Sequence, residues 1–260
     1  MLTKRRHPKG QRGLALRAIS VGALLFGSAC APPPPQSPVQ QASAAAVTAA
    51  AQFATLAQGS ATSGVAPRAT NPTVGPLLDT VWNTTSLPSA PNAADERALF
   101  AWLTAINQVG KTYLYAGTAQ AGGDLTTPAA EAQVERNMFT YAPELGRFYD
   151  AMLLGTGADA AATRASPQMQ PQWAQMQPYL VIIAQGNIAD IVAVNEANDW
   201  REARARTLIV YAQRFGALMT TAQQQTLEQS AQSAAQSATD PQAAALLNQF
   251  AATLQAGAHA

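Results

Sequence analysis

Apolar residues recur at helical spacing along the part of the chain that follows residue 92. In the clearest case they are three and four residues apart, which is the period of one helix face. These positions are Leu99, Trp102, Leu103, Ile106, Val109 and Tyr113. Asn92 is placed to cap this first helix, and Gly117, followed by Gly122-Gly123, is expected to end it.

A second helix is predicted to open at Thr127-Pro128, because proline is favoured in the first turn of a helix. Its apolar positions are Val134, Met138, Phe139, Leu145, Phe148, Tyr149 and Met152. Pro143 is expected to kink or split this helix near Thr140, and Gly155 and Gly157 are expected to stop it.

A third helix is centred on residues 180–183, after a loop that contains Pro167 and Pro171. Its apolar positions are Leu180, Val181, Ile182, Ile183, Ile188, Ile191, Val192 and Val194. A helix that is apolar over much of its circumference is typical of a buried position, so this segment is the candidate central helix. The β-branched run is also compatible with a strand, but no neighbouring segment has the pattern of a second strand.

Three more helices complete the pattern. The residues Asp199-Trp200-Arg201-Glu202 fit a capping box, a Gln/Ala-rich helix follows Thr221, and Asp240-Pro241 opens the last helix. Strand-turn-strand signals and a fixed repeat period are both absent from the sequence. The pattern therefore predicts an all-α bundle of about five or six helices over residues 93–257.

The stretch from Ala31 to Asn92 differs in composition. It holds ten of the seventeen prolines and is otherwise rich in Ala, Ser, Thr and Gln, which is typical of a tether. Residues 43–58, with Val47, Phe53 and Leu56, are either an amphipathic helix or a transient helix in a disordered linker. Residues 76–87 are the most apolar part, and we expect them to dock on the helical domain.

The first 29 residues have the organisation of an export signal. Residues 1–17 carry six of the sixteen Lys and Arg, and residues 18–29 are uncharged and mostly apolar. Twelve residues of helix span about 18 Å, which is less than the roughly 30 Å of a bilayer core, so a permanent membrane helix is not expected. An uncleaved core helix is the alternative, and it is disfavoured by the flanking charges and the prolines that follow.

The segment Phe26-Gly27-Ser28-Ala29-Cys30 resembles the lipobox of bacterial lipoprotein signals, with Gly27 where leucine is commonest. The resemblance implies cleavage after Ala29, lipidation of Cys30 and a membrane-lipid partner. Ala31 in place of Asp after the cysteine then implies the outer membrane, facing the periplasm, in a Gram-negative cell. The residues Ala29-Cys30-Ala31 also allow ordinary secretory cleavage after Ala31, which would release the protein without its cysteine.

Charge and cysteine content narrow the classes of partner. Beyond residue 29, ten Lys and Arg remain against fifteen Asp and Glu, a formal charge of −5, so we expect no nucleic-acid binding. Cys30 is the only cysteine, which excludes an intrachain disulfide and a cysteine-built metal site.

Catalytic chemistry is limited by the placement of histidine. His7 and His259 are the only two, and neither lies within the predicted domain, so histidine-dependent hydrolysis, zinc, di-iron and haem sites are not expected. We predict no cofactor, no metal and no catalytic residue. Carboxylates are the remaining candidates for acid-base catalysis. The alternative is that they cap helices or lie on solvated helix faces. These residues are Glu131, Glu135, Glu144, Asp150, Asp190, Glu196, Asp199 and Glu202.

Two other groups of side chains favour structure over binding. Four arginines on one predicted helix lie close in sequence to acids, so ion pairing is favoured over anion binding: Arg201, Arg204, Arg206 and Arg214. Most Tyr and Trp residues fall within the predicted helices, where core packing is favoured over a ligand groove.

These observations predict an exported, membrane-anchored helical lipoprotein that acts as a non-enzymatic binding or scaffolding component of the cell envelope, with an envelope protein as a partner. The alternatives are a periplasmic binder of a small molecule or peptide, which needs an aromatic-lined cavity, and a carboxylate-based cell-wall hydrolase. The hydrolase needs two convergent carboxylates roughly 5–10 Å apart in an open cleft.

Overall fold

A computed structural model describes residues 36–85, Leu87, and residues 93–120, 140–192 and 197–258. These residues form nine α-helices and no β-strand, so the all-α prediction is confirmed for them. The helices are α1 (Pro38–Leu56), α2 (Ser60–Ser63), α3 (Gly75–Val81), α4 (Glu96–Gln120), α5 (Ala142–Ala165), α6 (Gln170–Val192), α7 (Asn198–Phe215), α8 (Thr221–Ser237) and α9 (Pro241–Ala258). Six of these described helices follow residue 93, which is within the predicted five or six.

Helix α1 belongs to the bundle, so the predicted boundary at residue 93 is wrong. The Ser37 hydroxyl accepts a hydrogen bond from the Gln40 amide at 3.2 Å, and Pro38 occupies the first turn. Phe53 is buried, and the Ser43 hydroxyl donates to the Ala98 carbonyl of α4 at 2.6 Å. A continuous tether over residues 30–92 is excluded because the compact unit begins at Gln36.

The segment that follows α1 is held by specific contacts. The Tyr113 hydroxyl donates to the Pro67 carbonyl at 2.8 Å, and the Ala66 amide donates to the Tyr141 hydroxyl at 2.8 Å. Trp102 Nε1 donates to the Val81 carbonyl at 2.7 Å, and Leu87 is buried. The expected docking of residues 76–87 is therefore confirmed.

Two glycines expected to stop a helix instead lie inside α5. A Cβ on Gly155 would come within 2.8 Å of Leu103 Cδ2, and one on Gly157 would come within 2.3 Å of the Phe215 ring. The missing Cβ atoms allow α4 and α7 to pack closely against α5. Gly117 does not end α4 either, since that helix continues to Gln120. Helix α5 begins at Ala142, close to the position predicted for the break, and the helix predicted to precede it lies outside the described residues.

Helix α6 is only partly the buried helix predicted for it. Leu180, Ile188 and Ile191 are buried, but Ile182 is exposed, so one face of α6 lies on the surface. The predicted loop before it is a short 3₁₀ helix, Pro167–Met169, and α6 begins directly after it.

The last three helices begin close to the predicted positions. No side-chain hydrogen bond caps α7, whose N-cap is Ala197, so the capping box predicted from Asp199 and Glu202 is wrong. At α8 the capping box is formed by Thr220 and Gln223. Helix α9 begins at Pro241 as predicted.

Several predictions lie outside the described residues, including the signal sequence with Ala29 and Cys30. They also include the cap at Asn92, the pair Gly122-Gly123, the helix start at Thr127-Pro128, and Glu131, Val134, Glu135, Met138, Phe139, Val194 and Glu196. Among the described helices, none has the length and apolar character that crossing a membrane requires.

Candidate functional site

A groove of about 510 Å³ lies between the first turns of α5 and α7. Its polar lining consists of Arg147 and Asp150 from α5 and of Asp199, Trp200 and Arg204 from α7. The Trp200 indole fixes the approach of the two helices, because its Nε1 donates to the Ala142 carbonyl at 2.9 Å. Gly146 makes room for it, since a Cβ there would lie 2.2 Å from the same nitrogen.

Arg204 forms part of the floor of the groove and is only 1% exposed. Its guanidinium lies over the rings of Tyr149 and Trp200, with Cζ 5.1 and 4.6 Å from the ring centroids. It donates to Asn187 Oδ1 at 2.5 Å and to Asp190 Oδ2 at 3.1 Å. These contacts make Arg204 a structural link between α6 and α7.

Arg147 is also engaged within the protein. Its Nη2 lies 2.6 Å from Asp79 Oδ1, and its Cζ lies 5.4 Å from the centroid of the Trp82 ring. Both arginines of the groove therefore already have an acidic partner and an aromatic one.

Asp150 has one carboxyl oxygen without a hydrogen-bond partner among the described residues. Its Oδ1 is shielded from solvent and accepts no hydrogen bond from the described part of the chain. Burial raises the pKa of the Asp150 carboxyl to about 6, although the charge of Arg204 acts in the opposite direction. A positive charge in the groove would therefore favour the ionised form of this carboxyl.

Asp199 brings a second carboxylate to the same groove. It lies exposed in the first turn of α7, and its Oδ1 accepts a hydrogen bond from the Trp200 amide at 2.9 Å. The ion pairs among the described residues involve neither Asp150 nor Asp199. In this groove the two arginines form ion pairs within the protein, whereas the two acids do not.

No protein-family model, curated protein or solved structure matches this chain.

The other predicted acids that the structure describes have partners elsewhere. Glu144 is buried, and its Oε1 accepts hydrogen bonds from Arg68 Nε at 3.1 Å and from the Ala69 amide at 2.9 Å. Glu202 pairs with Arg206 at 2.7 Å. Glu144 therefore fixes the segment before α3 to α5, and Glu202 stabilises the surface of α7.

The prediction that the arginines of α7 pair within the protein is confirmed for Arg204 and Arg206. Arg201 Nη1 donates to the Thr239 hydroxyl at 2.9 Å, and Arg214 donates to the Leu87 carbonyl. The acid that pairs with Arg204 is Asp190 on α6. It is not one of the acids close in sequence to these arginines that suggested the pairing.

The aromatic residues divide into a core group and a surface group. Trp102, Tyr113, Tyr141 and Tyr211 are buried, as predicted. Tyr115 and Tyr179 are exposed, and so is Phe100, which the helical spacing did not single out.

Metal ligands do not converge in the described ranges, where His, Cys, Asp and Glu form no group of three. Both histidines and the single cysteine lie outside those ranges.

Proposed function

We propose that this chain is an exported, lipid-anchored, non-enzymatic binding component of the cell envelope. In this proposal the groove between α5 and α7 takes a small ligand or a peptide side chain that carries a basic group. The observation that carries the proposal is that Asp150 and Asp199 line one groove and take part in none of the ion pairs of the described residues. The lipobox-like segment at Cys30 supports the anchor.

The charges of the groove favour a cation over an anion. The guanidinium of Arg204 is buried, and that of Arg147 is paired, so neither is open to a ligand anion without breaking an existing contact. Asp150 and Asp199 have no such pairing. An ammonium or guanidinium group in the groove would therefore be stabilised by the charges of two carboxylates.

One observation favours a second candidate, a carboxylate-based hydrolase that acts on cell-wall polysaccharide. A general acid needs a carboxyl with a raised pKa beside an ionised one, and Asp150 and Asp199 occupy one groove. Against it, Asp199 Oδ1 is hydrogen-bonded to the backbone of its own helix. Release of reducing sugar from purified peptidoglycan by the parent protein, and loss of that activity in Asp150→Asn, would support the hydrolase instead of the binder.

The Asp150→Asn variant tests the groove. We expect Nα-acetyl-lysine amide to bind the parent protein and Nα-acetyl-leucine amide to bind at least about tenfold more weakly, a difference of ~1.4 kcal/mol. Asp150→Asn should remove that preference because it removes the negative charge and keeps the shape. Titration calorimetry at pH 7 measures both ligands.

The control for this variant is Glu202→Gln, which removes one negative charge from α7 at a position that does not line the groove. It should leave the preference for the lysine derivative unchanged. Below the Asp150 pKa of about 6, the affinity of the parent should fall by about tenfold per pH unit as the carboxyl is protonated. A preference that survives in Asp150→Asn would contradict the proposed site.

Asp150→Asn is expected to fold. The folded state holds the Asp150 proton more tightly than the unfolded chain between the ordinary pKa of 3.8 and about 6, so ionisation of this carboxyl destabilises the fold as the pH rises through that range. Replacing it by a neutral side chain should therefore leave the stability at pH 7 equal or higher.

The Cys30→Ser variant tests the anchor. The parent protein should sediment with membranes and be released by detergent, and Cys30→Ser should move to the soluble fraction because the acylated thiol is lost. Ser28→Ala is the matched control, since it keeps a small residue before the cysteine and should leave the protein in the membrane fraction. A parent protein that is soluble and begins at Pro32 would show secretory cleavage after Ala31 and would contradict the anchor.

A further inference from the structure

An apolar groove of about 380 Å³ lies on another face of the bundle, where α4 and α6 flank α5. Phe100 and Leu103 of α4 form one wall, and Met176, Tyr179 and Ile183 of α6 form the other. Phe100 is 65% exposed, and Tyr179 and Ile182 are also exposed. Large apolar side chains grouped in this way on a protein surface mark an interaction site more often than isolated ones do.

A second groove of about 400 Å³ continues the first along α5. The two share Ile183, and the second adds Tyr149 and Met152 of α5. From Tyr149 to Asp159 the face of α5 that lines the two grooves spans ten residues, which is about 15 Å at 1.5 Å per residue. A channel of this length matches about three turns of a partner helix, and its methionines can adapt to different apolar side chains.

The Phe100 end of the channel is acidic. Asp159 is 9% exposed and lines the groove, and Glu96 lies one helical turn before Phe100. Burial, together with the negative charge of Glu96, raises the pKa of the Asp159 carboxyl to about 6. Neither acid belongs to an ion pair of the described residues. A lysine or arginine from a partner would be attracted by both negative charges at a site bordered by apolar walls.

We propose that the channel between α4 and α6 is a docking site for an amphipathic helix of a partner protein, with apolar side chains along Leu103, Met152 and Ile183 and a lysine or arginine over Asp159. This site is separate from the groove between α5 and α7, and it does not depend on the function proposed for that groove. Apolar side chains account for affinity in such a channel, and the buried acid sets the polarity of the helix that enters it.

The experiment measures the fluorescence anisotropy of a labelled 14-residue Leu/Lys peptide with helical amphipathic spacing, titrated with the purified full chain. A Leu/Glu peptide of the same pattern and a scrambled Leu/Lys peptide serve as reference probes. We expect the patterned Leu/Lys peptide to bind at least about tenfold more tightly than either reference probe. Phe100→Asp and Asp159→Asn should each weaken its binding by at least about tenfold.

Matched variants separate docking from general attraction of a basic peptide to an acidic protein. Val65→Asp adds the same charge as Phe100→Asp at a residue that is 64% exposed and lies outside both grooves. It should leave the peptide affinity within about twofold or raise it. Because Phe100 is exposed, its replacement should leave the thermal unfolding midpoint unchanged, and this is measured on the same samples.

Four results would overturn the proposal. The first is equal binding of the patterned and scrambled Leu/Lys peptides, and the second is equal affinity of the parent and Phe100→Asp proteins for the patterned peptide. The third is a dimer in light scattering that Phe100→Asp converts to a monomer, which would assign the channel to a second copy of this chain. The fourth is binding to phosphatidylcholine vesicles that Phe100→Asp abolishes, which would assign it to a lipid surface.

Discussion

Replacing Phe53 with alanine is expected to lower the free energy of unfolding by about 3–5 kcal/mol. The ring is 1% exposed, and its centroid lies 5.9 Å from that of Tyr113. Tyr113 in turn contacts the rings of Trp82 and Tyr141, with centroids 6.0 and 5.5 Å away. Truncation of Phe53 would leave a cavity in an aromatic cluster that joins α1 to α4 and to the start of α5.

Leu56→Ala is the matched control, because Leu56 lies one turn further along α1 and is 46% exposed. Its expected cost is within about 0.5 kcal/mol. Urea denaturation followed by far-ultraviolet circular dichroism measures both variants, with the slope of the transition as a check on two-state behaviour. Equal, small effects at the two positions would show that α1 does not belong to the cooperative core.

The sequence could predict that residues 43–58 form a helix, but not that this helix is buried. Ala46, Ala49 and Ala50 are buried on α1, and alanine is equally frequent in exposed linkers and in closely packed helices. Phe53 was the one strong apolar signal on the buried face, and Val47 and Leu56 lie on the exposed side. Its aromatic partner lies sixty residues away, at Tyr113, so no local window contains the contact.

The glycines of α5 show the same limit. A glycine in a helical pattern is expected to weaken or end the helix when only local propensity is considered. Gly157 is required instead by the Phe215 ring, which comes from α7. Tertiary packing therefore determines both the continuation of α5 and the place of its glycines.

The sequence could identify individual residues of the groove between α5 and α7, but it could not predict that they line one groove. Asp150 and Asp199 were both among the candidate carboxylates, but their common groove depends on the contact between Gly146 and Trp200. The sequence predicted that Arg204 forms an ion pair within the protein, but it did not identify the acid that pairs with it. Asp190 lies on the preceding helix, and its approach to Arg204 follows from how α6 packs on α7.

Arg204→Met is expected to lower the free energy of unfolding by about 2–5 kcal/mol. About 1–3 kcal/mol comes from Asn187 Oδ1, which is buried and would lose its donor. About 1–2 kcal/mol comes from the loss of the guanidinium over the rings of Tyr149 and Trp200. Asp190 adds less than a fully buried partner would, because its side chain is 45% exposed and regains water when Arg204 is removed.

Arg206→Met provides the comparison on the same helix, since Arg206 pairs with Glu202 four residues away at the surface. Its expected cost is about 0.3–0.5 kcal/mol, and denaturation in urea measures both variants. Arg204→Met should also raise the pKa of Asp150 above its value of about 6, because the charge of Arg204 lowers that pKa, and carboxyl NMR titration detects the change. If Arg204→Met costs no more than Arg206→Met and leaves the titration of Asp150 unchanged, Arg204 neither links α6 to α7 nor sets the charge of the groove.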